Sequence, residues 1–138
     1  MHEFRYLGHI ITDDFKDNAD ITREICSLFY RTNMLICRFG KCSMDVKRVL
    51  FRSYCLCLYD TGLWKFYKTT VIDKLKSAYN RCMKMFFGYS RYHSVTQMLL
   101  DLALPSFEAL ITNSRFTFMK MYNGCSNQLV AYLRVLDI

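Results

Sequence analysis

Two short clusters in this 138-residue chain carry residue types that can do chemistry. Thr12-Asp13-Asp14 sets two carboxylates side by side, the donor type that holds divalent metals for two-metal transfer chemistry. That chemistry needs several carboxylates converging on both ions, and no upstream strand supplies the other Asp. An acidic loop leading into a helix accounts for Asp13 and Asp14 without a metal. His93-Ser94 sets a base beside a hydroxyl. No acid is placed to orient the imidazole, no oxyanion feature follows, and Ser94 is better used as a helix cap. His2 and His9 have no partners at ligand spacing. The seven cysteines (26, 37, 42, 55, 57, 82 and 125) form no CxxC pair and have no His at zinc spacing. Most fall on apolar faces of expected helices, so buried thiols in a reducing compartment are expected. No catalytic residue and no metal ligand is assigned.

Charge is the signal that remains. Residues 23–91 hold fourteen of the nineteen Lys and Arg and four acids, a local balance of +10 against +7 for the chain. The first twenty residues are net −3, and everything after Arg91 is neutral. A pI near 9.1 points to a polyanionic partner, although surface charge also serves solubility. The plain reading of these Lys and Arg is a solvated face; a nucleic-acid contact, if they make one, would suit phosphates rather than base edges. Lys74, Arg81 and Lys84 are the first candidates, with Arg38, Arg48 and Arg52 after them. Lys74 and Arg81 stand seven apart, hence on about one helical face. Trp64, Tyr79, Phe86 and Phe87 can stack on bases, but core packing explains them better.

The elements that must position these cations follow from periodicity. Apolar content of 52% is enough for a core in one domain or part of one. No run of eighteen apolar residues offers a membrane span, and the start, Met1-His2-Glu3-Phe4-Arg5, lacks a signal-peptide pattern. Residues 4–12 predict one strand, bulged or turned at Gly8. Too short to stand alone, it either packs onto the helices or pairs with strands outside the chain. An acidic turn follows, with Asp20 as cap of a helix over 21–39 that Gly40 ends. Ile21, Ile25, Leu28, Leu35 and Phe39 form its apolar face, and Arg23, Arg31 and Arg38 lie largely off it. Ser43 caps a second helix to about residue 58, with Val46, Val49, Leu50, Tyr54 and Cys57 as its buried stripe. Gly62 either breaks that helix or lies within a continuation toward Tyr67. Thr69 or Thr70 caps a third helix lined by Val71, Leu75, Ala78, Tyr79, Cys82 and Phe86 and ended by Gly88. Ser94 caps a helix over about 95–103. Pro105 opens the next, to about 122, and Ser126 caps a last segment to about 136. The fold class is all-α, a helical bundle of about five to six helices preceded by one short β-strand.

Taken in order, several segments resemble non-LTR retrotransposon (LINE-like) reverse transcriptases. Phe4-Arg5-Tyr6-Leu7-Gly8-His9-Ile10-Ile11 resembles the closing strand of the palm, where an aromatic-Leu-Gly strand precedes an acidic turn. Leu58-Tyr59-Asp60-Thr61-Gly62-Leu63-Trp64 is similar to the Tyr-x-x-x-x-Trp segment after the second thumb helix. Lys74-Leu75, Tyr79-Asn80-Arg81 and Met83-Lys84 resemble the helix with a Leu, an aromatic-Asn pair and a basic end. Arg91-Tyr92-His93-Ser94-Val95 resembles an Arg-aromatic-x-Ser-Ala segment, with Val95 in place of the small residue. Leu104-Pro105-Ser106-Phe107 with Leu110 resembles the start of the next helix. The matches span nearly the whole chain, and their order is more specific than any one of them.

The resemblance implies a C-terminal thumb-region fragment of an RNA-directed DNA polymerase, lacking the catalytic palm. Residues 1–20 would be the end-of-palm-like strand and acidic turn, 21–91 a basic three-helix thumb-like region, and 92–138 C-terminal helices packing on it. The family's catalytic carboxylates and divalent metal ions lie upstream, including a Phe/Tyr-Ala-Asp-Asp hairpin. Asp13 and Asp14 follow the Tyr-Leu-Gly strand and lack the aromatic-Ala lead. The resemblance therefore implies no catalysis by this chain and no cofactor within it. Its implied partners are an RNA/DNA template-primer duplex, bound without sequence specificity, and the missing palm and fingers, with no membrane. Tyr6, Leu7 and Gly8 would lie beside the primer end. The implied location is intracellular, nuclear or cytoplasmic. From charge and helicity alone, the alternative is a basic helical protein-interaction module without nucleic-acid binding.

Overall fold

Ile21, Leu28 and Leu35 recur every seven residues, and all three are fully buried along α1 (Asn18–Phe39). The computed structural model describes residues 2–136, apart from the side chains of Tyr59 and Asp60. After α1 come α2 (Met44–Tyr54), a 3-10 turn at Tyr59–Gly62, α3 (Thr69–Phe87), α4 (Val95–Leu102), α5 (Phe107–Gly124) and α6 (Gln128–Val135). An all-α bundle behind a short β element is therefore present, as the periodicity indicates.

Side-chain contacts fix the helix directions. Asn18 accepts the Lys68 backbone N–H at 2.8 Å where both α1 and α3 begin. Further along, the Arg81 guanidinium lies 6.0 Å from the Phe29 ring centre. The two helices thus run side by side in the same direction. α2 runs back against both, antiparallel to them: Lys47 Nζ donates to the Phe86 carbonyl at 3.2 Å, and Thr32 Oγ1 lies 3.7 Å from Cys55 Sγ. α5 descends along α3, tied by Tyr79 OH to the Pro105 carbonyl (2.8 Å), by Lys76 to Glu108, and by Arg115 to the Tyr67 hydroxyl. The core closes around Phe51, whose ring lies 6.1, 6.2 and 5.6 Å from those of Tyr79, Phe86 and Phe87.

The predicted single strand is a self-paired hairpin. β1 (Glu3–Tyr6) and β2 (His9–Thr12) are antiparallel, with Glu3 opposite Thr12 and Tyr6 opposite His9. Leu7 and Gly8 turn the chain with φ of 49° and 87°, the paired positive values of a tight type I′ turn. The chain thus supplies the second strand itself.

Asp20 does not cap α1, which begins at Asn18. The Asp17 carboxylate instead accepts the backbone N–H groups of Lys65 and Phe66 at 2.8 and 2.9 Å. Asp20 is fully buried and accepts from the Ile10 N–H (3.0 Å), Arg23 Nε (2.8 Å) and Trp64 Nε1 (2.8 Å), with His9 Nδ1 at 3.0 Å. The acidic turn therefore joins the hairpin, α1 and the segment before α3. Arg23 and Arg31 both reach the buried Glu24, so these cations are neutralised inside the bundle.

Four further expectations are corrected. α2 buries Phe51 rather than a Val46, Val49 and Tyr54 stripe. Those three are exposed because the helix turns Phe51, Leu50 and Lys47 toward α3. Only Cys55 and Cys82 are buried; Cys26 and Cys37 are exposed because they lie across α1 from its Leu28 and Leu35 stripe. Lys68 rather than Thr69 or Thr70 precedes the first turn of α3, and Asn127 rather than Ser126 caps α6. Ser94 and Gly88 do terminate elements as expected, Gly88 with a left-handed φ of 76°. Among the described residues no single helix is long and apolar enough to cross a membrane. The pair α4 and α5 passes on length and composition only with a 61° bend.

Candidate nucleic-acid interface

The solvent face of α3 presents Lys74, Ser77, Arg81 and Lys84 at three- and four-residue steps, which stacks them on one side of the helix. Beyond them the left-handed Gly88 reverses the chain, and Tyr89 N–H returns to the Lys84 carbonyl at 2.9 Å. Lys84 then holds the returning loop. Its ammonium donates to the carbonyls of Arg91 (3.0 Å) and His93 (2.7 Å). The Tyr89 and His93 rings pack 4.8 Å apart. The result is a groove of about 620 Å³ lined by Ser77, Asn80, Arg81, Lys84, Tyr89 and Arg91, with Met85. Three cations border it and no described carboxylate lines it.

The six candidate cations separate by environment. Lys74 is exposed and has no partner among the described residues. Arg81 is exposed and leans over Phe29. Lys84 lines the groove while its ammonium is held by two carbonyls. Arg38 is exposed in the last turn of α1, at the same end of the parallel α1 and α3 pair. Arg48 pairs with Asp45. Arg52 donates to the Ala103 carbonyl at 2.6 Å and so helps finish α4. Lys74, Arg81 and Lys84 share a face; Arg48 and Arg52 lie on α2, away from it. Tyr6, Leu7 and Gly8 form the exposed tip of the hairpin.

Tyr89 and Ser77 are groove residues that the sequence did not single out, and Asn80 and Arg91 were marked only as parts of family-like segments, not as binding candidates. The signal was partly there. Ser77 and Arg81, and Asn80 and Lys84, are four-residue pairs, and a glycine stop before Tyr89 permits a reversal. What the spacing lacks is the pair of Lys84 hydrogen bonds that fold Arg91 back.

The clusters set aside as catalytic candidates have structural partners. Asp13 lies 2.8 Å from His2 Nδ1. Asp14 accepts from the Thr12 hydroxyl at 2.7 Å and pairs with Lys16, which hold its carboxyl down at about 2. Ser94 accepts the Gln97 N–H at the start of α4. Among the described residues no three His, Cys, Asp or Glu converge as a metal site. Burial pushes the Cys55 thiol up and the Cys82 thiol to about 11, so both are protonated core groups.

Comparison with protein-family models, with curated proteins and with solved structures finds no match to this chain.

Proposed function

We propose that this chain acts as the thumb region of a LINE-like RNA-directed DNA polymerase, gripping an RNA/DNA template-primer duplex without reading its sequence and without catalysis of its own. The observation that carries the reading is the groove bordered by Arg81, Lys84 and Arg91, in line with the exposed Lys74. A thumb must follow phosphates, and cations spaced along one helix and leading into a groove that no described carboxylate lines are suited to that task. The order of family-like segments along the chain supports the same reading.

The test is fluorescence anisotropy with RNA/DNA hybrids of unrelated sequences, titrated across salt. Contacts from Lys74, Arg81 and Arg91 predict a log–log salt slope of about −3, and similar affinity for each hybrid. The double variant Arg81→Ala with Arg91→Ala lowers the slope by about 2 and weakens all hybrids alike. A folded protein that binds no hybrid at low salt overturns the proposal. So does a double variant with the parent's slope. The interaction-module reading then moves first, and the apolar groove at the other end of α3 is the observation favouring it.

A further inference from the structure

A second large concavity, of about 650 Å³, lies where the 3-10 turn and the segment after it meet α5 and α6. Its apolar walls include Leu63, Phe66, Phe118, Met119 and Leu133, with Trp64 at its base. Gly62 sets how closely the walls meet. A Cβ there would come within 2.7 Å of the Phe118 Cβ, so only glycine lets α5 close on the turn. The walls are open to solvent: Phe66 is 57%, Leu63 53% and Met119 50% exposed. The apolar strip also runs on past the cavity. Leu133 lines it from α6, and Leu129 and Leu136, one turn to either side on the same helix face, are exposed. A strip of that length exceeds what a small apolar ligand would cover.

Charge narrows the choice of occupant. The charged residues lining the groove are Lys65 and Arg115, and no described carboxylate does. A second copy of this chain would bring another +7 protein and, about a twofold axis, the same cations against each other. We propose that the groove docks an amphipathic helix of an acidic partner protein. Its apolar side chains lie between Phe66 and Met119, and its Asp or Glu residues meet Lys65 and Arg115. Helix-in-groove recognition needs such an apolar trough, and the Met119 thioether adapts to different side chains. The proposal goes beyond duplex binding and does not rest on it, because none of its residues borders the basic groove.

The chain's single tryptophan is a built-in reporter, since Trp64 lines the site. The probe is a fluorescein-labelled synthetic helix with Leu at i, i+3, i+4 and i+7 and Glu on its outer face. The same peptide with Lys for Glu is the control. The acidic peptide binds saturably and shifts Trp64 emission. Met119→Glu weakens it about tenfold, and Lys65→Glu, at a solvent-exposed position, about fivefold, with unchanged circular dichroism in both. Equal binding of the Lys peptide overturns the proposal, as does a Met119→Glu variant that binds normally. Self-association through this face in sedimentation, abolished by Met119→Glu, would identify a second copy as the occupant and also overturn it. Phosphatidylserine vesicles captured through Met119 while the acidic peptide stays free would do the same.

Discussion

Asp20 has no exposed surface, yet it is ionised because three donors converge on it. Burial by itself would raise its pKa. The hydrogen bonds from Arg23, the Ile10 N–H and Trp64, with the Arg23 charge, outweigh burial and hold it below the ordinary 3.8. A carboxyl depressed on folding adds stability that is complete above its unfolded value. That stability is lost as pH falls through the folded one. Acid unfolding should therefore steepen below about pH 4, and Asp20→Asn should flatten that limb. Asp20→Ala takes the acceptor from the buried indole N–H and from the Ile10 N–H, while Arg23 keeps its pairing with Glu24, and is expected to cost about 3 kcal/mol. Urea unfolding at several pH values checks both, and an Asp20→Asn profile that keeps the parent's acid limb refutes the assignment. In sequence, an acid before an apolar repeat is a helix cap. Its true partner, Trp64, lies 44 residues further on, and nothing local announces that pairing.

At the scale of elements, the helices whose apolar stripes face one large partner were legible, and those facing solvent on part of that stripe were not. α1 and α3 bury the residues their periodicity selects. α2 carries Val46 and Val49 at helical spacing, but only a narrow side around Phe51 meets α3. The hairpin was hidden because its turn is Leu-Gly, while the usual signal is Asn-Gly or Asp-Gly; a leucine at φ 49° is an uncommon choice. For the basic groove, the helix face was readable and the returning loop was not. Gly62 shows how one residue sets the fit of two elements. Gly62→Ala puts a methyl 2.8 Å from the Phe118 Cγ, and α5 must move off the 3-10 turn. The expected cost is about 1–3 kcal/mol in thermal unfolding. Trp64 emission should shift with it, because the groove that Trp64 lines changes width. Rotation of the Phe118 ring leaves its Cβ in place, so a variant with parental stability and parental emission would mean that the backbones of α5 and the turn part at no cost and that Gly62 does not set the fit.

Taken whole, the molecule separates two kinds of surface along one helix. The cationic groove sits toward the Gly88 end of α3, and the apolar trough with Lys65 and Arg115 lies before its start. Thirteen residues of α-helix between Lys68 and Arg81 span about 20 Å. At physiological salt that exceeds the screening length of about 8 Å twofold, so charge in the trough is weakly felt at Arg81 and the groove beyond it. Of the cations proposed to grip the duplex, Lys74, about 9 Å along the helix, is the one near enough to feel it. Coupling through packing would need an element with two arrangements. α3 is instead held along its length by α1 on one side and by Tyr79, Lys76 and Tyr67 contacts to α5 and its approach. The two ligands should then bind independently. An RNA/DNA hybrid titrated in the presence of saturating acidic peptide should keep its affinity within about twofold and keep its salt slope. Linkage requires the hybrid to leave peptide affinity equally unchanged. Direct competition would mean that the peptide occupies the cationic strip as a mimic of phosphate. Arg81→Ala with Arg91→Ala would then weaken peptide and hybrid together, and the case for two separate surfaces would fail.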